Sequence, residues 1–164
     1  MIHEIRGARA AIDDPEAVLR NAAAWAAGHG VEVLLADARA VVGRDHIESA
    51  VRHGERAKDQ RAMATHTLAM ESLLYLSGRR QIADAISVAG IRKGTTGVAV
   101  VVFGDTLAAD FLEAMGWSAD PTLLDAARKD LEVLGIREPE RATVPRRREA
   151  DLALERVALV DLEK

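Results

Sequence analysis

The chain contains no cysteine. Disulfide cross-links and thiolate metal sites are therefore excluded, and the composition suits a reducing cytoplasm. Aromatic residues make up only 3% of the sequence, so Ala, Leu, Val and Ile must fill the core. No apolar stretch reaches the roughly 18 residues that a bilayer-spanning helix needs. The N-terminus, Met-Ile-His-Glu-Ile-Arg, is too short in apolar residues and too charged for a secretory signal. These absences predict a soluble, cytoplasmic protein with no membrane partner.

Catalytic signatures are equally scarce. There is no Gly-x-Ser-x-Gly nucleophile elbow. The histidines are His3, His29, His46, His53 and His66, and none lies four residues from another, so no helical zinc pair is available. Neither a metal nor a cofactor is expected, and the chain reads as a non-enzyme. The segment Gly90 to Gly97 has glycines, a lysine and threonines. However, its lysine precedes the glycine and it leaves a helix to enter a strand, the reverse of a phosphate-binding P-loop. It reads as a turn. A small-molecule or nucleotide-binding α/β domain with its site at this turn is the alternative functional reading, which saturable stabilisation by ATP would favour.

What is present is enough for one domain, residues 1–164, with an ordinary apolar fraction of 49%. The net charge is −4, yet its distribution is uneven. Between Arg44 and Lys93 there are nine basic and six acidic residues, whereas the remainder holds thirteen basic and twenty acidic. An acidic molecule can still present one basic face to phosphate.

The centre of the sequence is Met70 to Asp105. Leu73, Leu74, Tyr75 and Leu76 predict a helix closed by Gly78, a C-cap that adopts positive φ without a Cβ clash. A second helix follows, with Ile82, Ala85, Ile86 and Ala89 as one inward stripe and Gly90 at its end. Val98 to Phe103 is a β-branched run suited to a strand covered on both faces. Around this centre, Ile2 to Ile5 and Val31 to Leu35 read as strands. Asp13-Asp14-Pro15-Glu16 is a strong helix start, leading into a face of Val18, Leu19, Ala22, Trp25 and Ala26. Arg44 to Gln60 is a helix with Ile47, Ala50, Val51, Gly54 and Ala57 inward. On its outer side, Arg52 and Arg56 suit intrahelical pairs with Glu48 and Asp59. Leu107 to Met115 is a helix ending at Gly116, and Asp120-Pro121 starts another that runs to Leu134. Arg137 to Arg148 is the least ordered segment. A helix through Leu152 or Leu154 and a last strand, Val157 to Leu162, complete the chain. The expected class is a single layered α/β domain, with about four strands in a mixed or antiparallel sheet and about seven helices.

The segment Glu71-Ser72-Leu73-Leu74-Tyr75-Leu76-Ser77-Gly78-Arg79-Arg80-Gln81-Ile82, followed by Ala85-Ile86 and Gly90-Ile91, resembles the signature of the small non-catalytic KEOPS subunit, the PRPK-binding family. Ile5-Arg6-Gly7-Ala8-Arg9 is similar to that family's opening and Arg156 to Leu162 to its close. The similarity is thinnest between Leu123 and Arg148. It implies an archaeal-type regulatory subunit of the complex that makes threonylcarbamoyladenosine in tRNA. Such a subunit binds the kinase-like subunit and the single-stranded 3′ end of tRNA.

Single-stranded RNA is held by phosphate contacts and by stacking on aromatic or guanidinium planes. The candidate tRNA-binding residues are Lys58, Arg61, Arg79, Arg80, Gln81, Arg92 and Lys93, expected to gather on one cationic shelf. The Lys and Arg residues would bind phosphate, Arg80 stack on a base and Gln81 bond a base edge, while Ile82 is read as core. The resemblance reaches Arg80, Gln81 and Ile82 directly; Lys58, Arg61 and Lys93 rest on charge and nearness in sequence. The partner-binding residues are unknown from sequence, with helices around Leu68–Leu76 and Leu152–Leu162 as candidate faces.

Overall fold

The computed structural model describes residues 2–126 and 129–163. Four strands form one antiparallel sheet: β1 (His3–Arg9), β2 (Glu32–Asp37), β3 (Gly97–Phe103) and β4 (Ser118–Ala119), in the order β2-β3-β1-β4. Among the described residues there are seven α-helices: α1 (Pro15–His29), α2 (Arg44–Asp59), α3 (Leu68–Ser77), α4 (Ile82–Ala89), α5 (Ala108–Met115), α6 (Glu138–Arg141) and α7 (Ala150–Glu163). The expected class and the numbers of strands and helices agree with this architecture.

The sheet is the middle of three layers, and the period of two along β3 explains why. Val98, Val100 and Val102 join the cluster with Ala22 of α1 and Phe111 and Leu112 of α5. Ala99, Val101 and Phe103 join the other cluster, with Ile47 and Val51 of α2, Leu74 and Leu76 of α3, Ala85 of α4 and Val157 of α7. Every residue from Val98 to Phe103 is buried, as an uninterrupted β-branched run predicts. β1 and β2 flank it in matched register, His3 and Glu32 both opposite Phe103.

The helix punctuation also follows the sequence. Asp14 caps α1, its carboxylate accepting the Ala17 N–H at 3.1 Å. α3 ends where Gly78 turns left-handed, with Arg79 N–H reaching back to the Leu74 carbonyl and Gly78 N–H to that of Tyr75. α2 and α3 pack antiparallel and close. A Cβ on Gly54 would come within 2.7 Å of the Ser72 hydroxyl and 3.3 Å of Leu68.

Two expectations are corrected. Val157 to Leu162 is not a strand; it belongs to α7, whose buried residues Leu152, Ala153, Val157 and Val160 recur at helical spacing. The fourth strand is instead the two-residue edge β4, too short to leave a periodic signal. No continuous helix runs from Asp120 to Leu134. Two 3-10 turns, Pro121–Leu124 and Leu131–Leu134, stand there, with extended backbone at Asp125 between them. Residues 127 and 128 of that expected helix lie outside the described ones. Finally, Ala38–Ala40, unassigned from sequence, is a buried 3-10 turn capped by Asp37.

Candidate functional site

The seven candidate residues do not form a single shelf. Lys58 and Arg61 sit at the C-terminal end of α2. Arg61 itself has φ 54, because it occupies the left-handed position of a Schellman closure: Ala62 N–H bonds the Ala57 carbonyl and Arg61 N–H that of Lys58. Glu71 anchors the loop that follows. It is fully buried, and its Oε2 accepts the Ala64 and Thr65 N–H groups and the Thr65 hydroxyl, each at 3.0 Å. Because α2 and α3 are antiparallel, this end lies a helix length, about 15 Å, from Arg79, Arg80 and Gln81 at the other end of α3. Sequence proximity of Lys58 and Arg61 to the signature therefore misleads; the α3 rod separates them.

The other five residues flank α4. Arg79 and Arg80 are exposed at its start, and Gln81 is its N-cap residue. The Arg79 guanidinium lies beside Gly135, where a Cβ would approach its Nη2 to 3.3 Å. Arg80 donates to the Glu163 carbonyl at 2.7 Å and stands 3.7 Å from that residue's carboxylate. Beyond the end of α4, Arg92 donates to the Ser87 carbonyl at 3.0 Å and lies 3.8 Å from Asp37. Lys93 is 3.8 Å from Asp13, both exposed.

Between these two groups α4 presents a face that the sequence reading assigned to the core. Ala85 and Ala89 are fully buried, but Ile82 is 43% and Ile86 45% exposed. The reason is steric. The small alanines bring α4 down onto its neighbours, and the larger isoleucines are left at the rim of the stripe. The result is an apolar ridge with guanidiniums at both ends.

Beneath the Arg92 end lies a carboxylate that sequence reasoning passed over. Asp37 is 2% exposed. Burial alone would raise its pKa, but the Arg39 side chain and N–H, its charge and the Thr95 hydroxyl outweigh that and hold the carboxyl below its ordinary range. Arg39 reaches it with Nη2 at 2.8 Å and Nε at 3.2 Å. Lys129, half-buried, donates to the Leu123 carbonyl at 2.7 Å and to that of Ala38. Burial lowers its pKa, and Asp37 and Asp125 oppose that. An Asp directly after the apolar run Val33–Ala36 is the signal that could have found it.

Elsewhere, Arg52 pairs with Glu48 at 3.3 Å as expected. Arg56 does not pair with Asp59; it donates to Asp161 of α7, which also accepts from the Tyr75 hydroxyl at 2.6 Å and His53 Nδ1 at 2.8 Å. α3 is no candidate face for a partner, since Leu68 and every residue from Glu71 to Ser77 are buried. The amides of Gly90, Arg92, Gly94 and Thr95 are all engaged within the molecule, so these four are not directed at a phosphate. Among the described residues no group of three acids and histidines could hold a metal ion, and no helix is long and apolar enough to cross a membrane.

The described residues form an antiparallel sheet sandwiched between helices, with an exposed apolar ridge on α4 and cations at both of its ends. The family model described as kinase binding protein CGI-121 matches residues 15–133, and the chain belongs to that family. No curated protein matches the chain. The family assignment makes the protein a member of a group that binds a kinase partner.

Proposed function

We propose that the chain is a non-catalytic regulatory subunit of the KEOPS complex. In this reading it binds the kinase-like subunit and the single-stranded 3′ end of tRNA, and works in the cytoplasm. The observation that carries the RNA part is the outer face of α4. Ile82 and Ile86 stand exposed there, with Arg79, Arg80 and Gln81 at one end and Arg92 at the other. A single strand needs flat or apolar surface for its bases and cations for its phosphates, and a chain with 3% aromatics must use aliphatic and guanidinium surfaces instead. Lys58 and Arg61, at the far end of α3, are left out of this site, and Lys93 lies at its edge.

The test is binding of tRNA, intact and trimmed at its 3′ end, to the purified chain, alongside capture of the kinase-like subunit. Ile82→Glu should weaken intact tRNA at least tenfold without changing the melting temperature, because the side chain is half outside the core. Arg79→Glu with Arg80→Glu should do the same, and log affinity should fall by roughly 0.7 per phosphate contacted for each tenfold rise in salt. Trimming the tail should erase the difference between parent and Ile82→Glu. Loss of kinase capture with tRNA binding intact would reassign the α4 face to the protein partner.

A further inference from the structure

Three clefts meet end to end on the side of the sheet covered by α2, α3, α4 and α7. The first, about 280 Å³, is walled by Arg92, Arg39 and Val133. It shares Arg39 and Val133 with the second, about 760 Å³, on whose far side stands Lys129. Lys129 is in turn a wall of the third, about 360 Å³, together with Arg141, Arg146 and Arg147. The groove thus leaves the C-terminal end of α4, passes the two 3-10 turns and arrives at the start of α7.

Its charge is positive on an otherwise acidic molecule. Four carboxylates line it, and three have been answered locally: Asp37 by Arg39, Glu149 by Arg141 at 3.1 Å, and Asp130 by the Glu132 N–H at 3.0 Å. The fourth, Asp125, faces Lys129 electrostatically. By contrast Arg146 and Arg147 are exposed and have no ion pair among the described residues. Among the described residues no aromatic ring and no exposed apolar ridge like that of α4 lines the three clefts. A row of guanidiniums and an ammonium along a groove suits the phosphates of a phosphodiester backbone.

We infer that this groove carries the tRNA backbone beyond its 3′ tail, from Arg92 through Arg39 and Lys129 to Arg146 and Arg147. The inference rests on the RNA-binding reading above and deepens it. It places a second contact zone in residues 137–148, outside the segment that the family model matches. The α4 ridge takes the unpaired tail, and the groove takes phosphates without regard to sequence.

The experiment compares the parent chain, Ile82→Glu, and the double variant Arg146→Glu with Arg147→Glu, each against intact and tail-trimmed tRNA between about 50 and 200 mM salt. Arg20→Glu, on α1 across the sheet, reverses one charge where the double variant reverses two, and gauges the loss per reversed charge that net charge alone produces. The double variant should bind trimmed tRNA at least tenfold more weakly than the parent does, and its dependence of log K on log salt should flatten by roughly 1.5. The ratio of intact to trimmed affinity should stay as in the parent. If instead the double variant binds both RNAs within twofold of the parent while Ile82→Glu loses intact tRNA, the groove is excluded and the α4 site survives. If the parent binds neither RNA, the RNA reading and the groove fall together. Equal weakening per reversed charge by Arg20→Glu would assign the effect to overall charge and overturn the groove.

Discussion

His46 is, with Glu71, one of the most deeply buried titratable side chains in the fold. It is 1% exposed, and its Nδ1 accepts the Val42 N–H at 3.0 Å. The ring must therefore be neutral, with its hydrogen on Nε2. Burial pushes its pKa down to about 4, the Leu76 backbone offsetting only part. The unfolded chain takes up the proton near 6.5, the folded one only near 4. Between those values the unfolded state binds more protons, so stability is complete above about pH 6.5 and drains away as the pH falls toward 4, by about 3 kcal/mol from this one group. The melting temperature should decline through that window. Nitrogen chemical shifts at pH 5.5 should report a neutral Nε2–H imidazole; a protonated ring at that pH would sink the assignment. Nothing in the sequence distinguishes His46 from the other four histidines, because its burial comes from α3 and α7 closing over α2. Ile82 shows the opposite failure. Its spacing fits the inward stripe, and only the packing of Ala85 and Ala89 reveals which side of that stripe is wet.

Elements with their own start and stop signals were legible; elements defined by their neighbours were not. α1, α3 and α5 begin or end at the residues that chemistry dictates: Asp14 and Pro15 at the start of α1, and Gly78 and Gly116 at the ends of α3 and α5. α7 was missed in half its length because Val157, Val160 and Leu159 read locally as strand formers, while the stripe that makes it a helix starts earlier, at Leu152. What fastens α7 is Asp161, which accepts from Tyr75 and His53 and pairs with Arg56, joining α7 to both α3 and α2. Burial would raise its pKa, but the Tyr75 and His53 hydrogen bonds and the charges of His53 and Arg56 hold it below the ordinary range. Asp161→Asn keeps the shape and removes the charge. It should cost about 1–3 kcal/mol, and hydrogen exchange should accelerate in α7 before it does in α2 or α3. Uniform acceleration across all three helices would mean that the carboxylate is not the fastener.

For the whole molecule, the boundaries of the family match and of the physical domain differ. The matched segment, residues 15–133, omits β1, which lies between β3 and β4, and α7, which supplies Leu152, Ala153, Val157 and Val160 to the core. A fragment cut to residues 15–133 would leave β3 with one bare edge and uncover part of α2 and α3. It should show helical far-ultraviolet dichroism without a cooperative thermal transition, whereas the full chain should melt in one step. A cooperative transition in the fragment would show that β1 and α7 are dispensable.

The strand order carries one more consequence, for synthesis. β1 and β2 do not pair with each other; β2 pairs with β3, and β1 with β3 and the still later β4, so neither meets a strand partner before β3, which ends at Phe103. During translation the emerging polypeptide must carry two strands with unsatisfied amides and carbonyls until Gly97–Phe103 has been made. The first sheet hydrogen bond between strands therefore waits on the ribosome, and the nascent chain spends that interval with its stickiest edges uncovered.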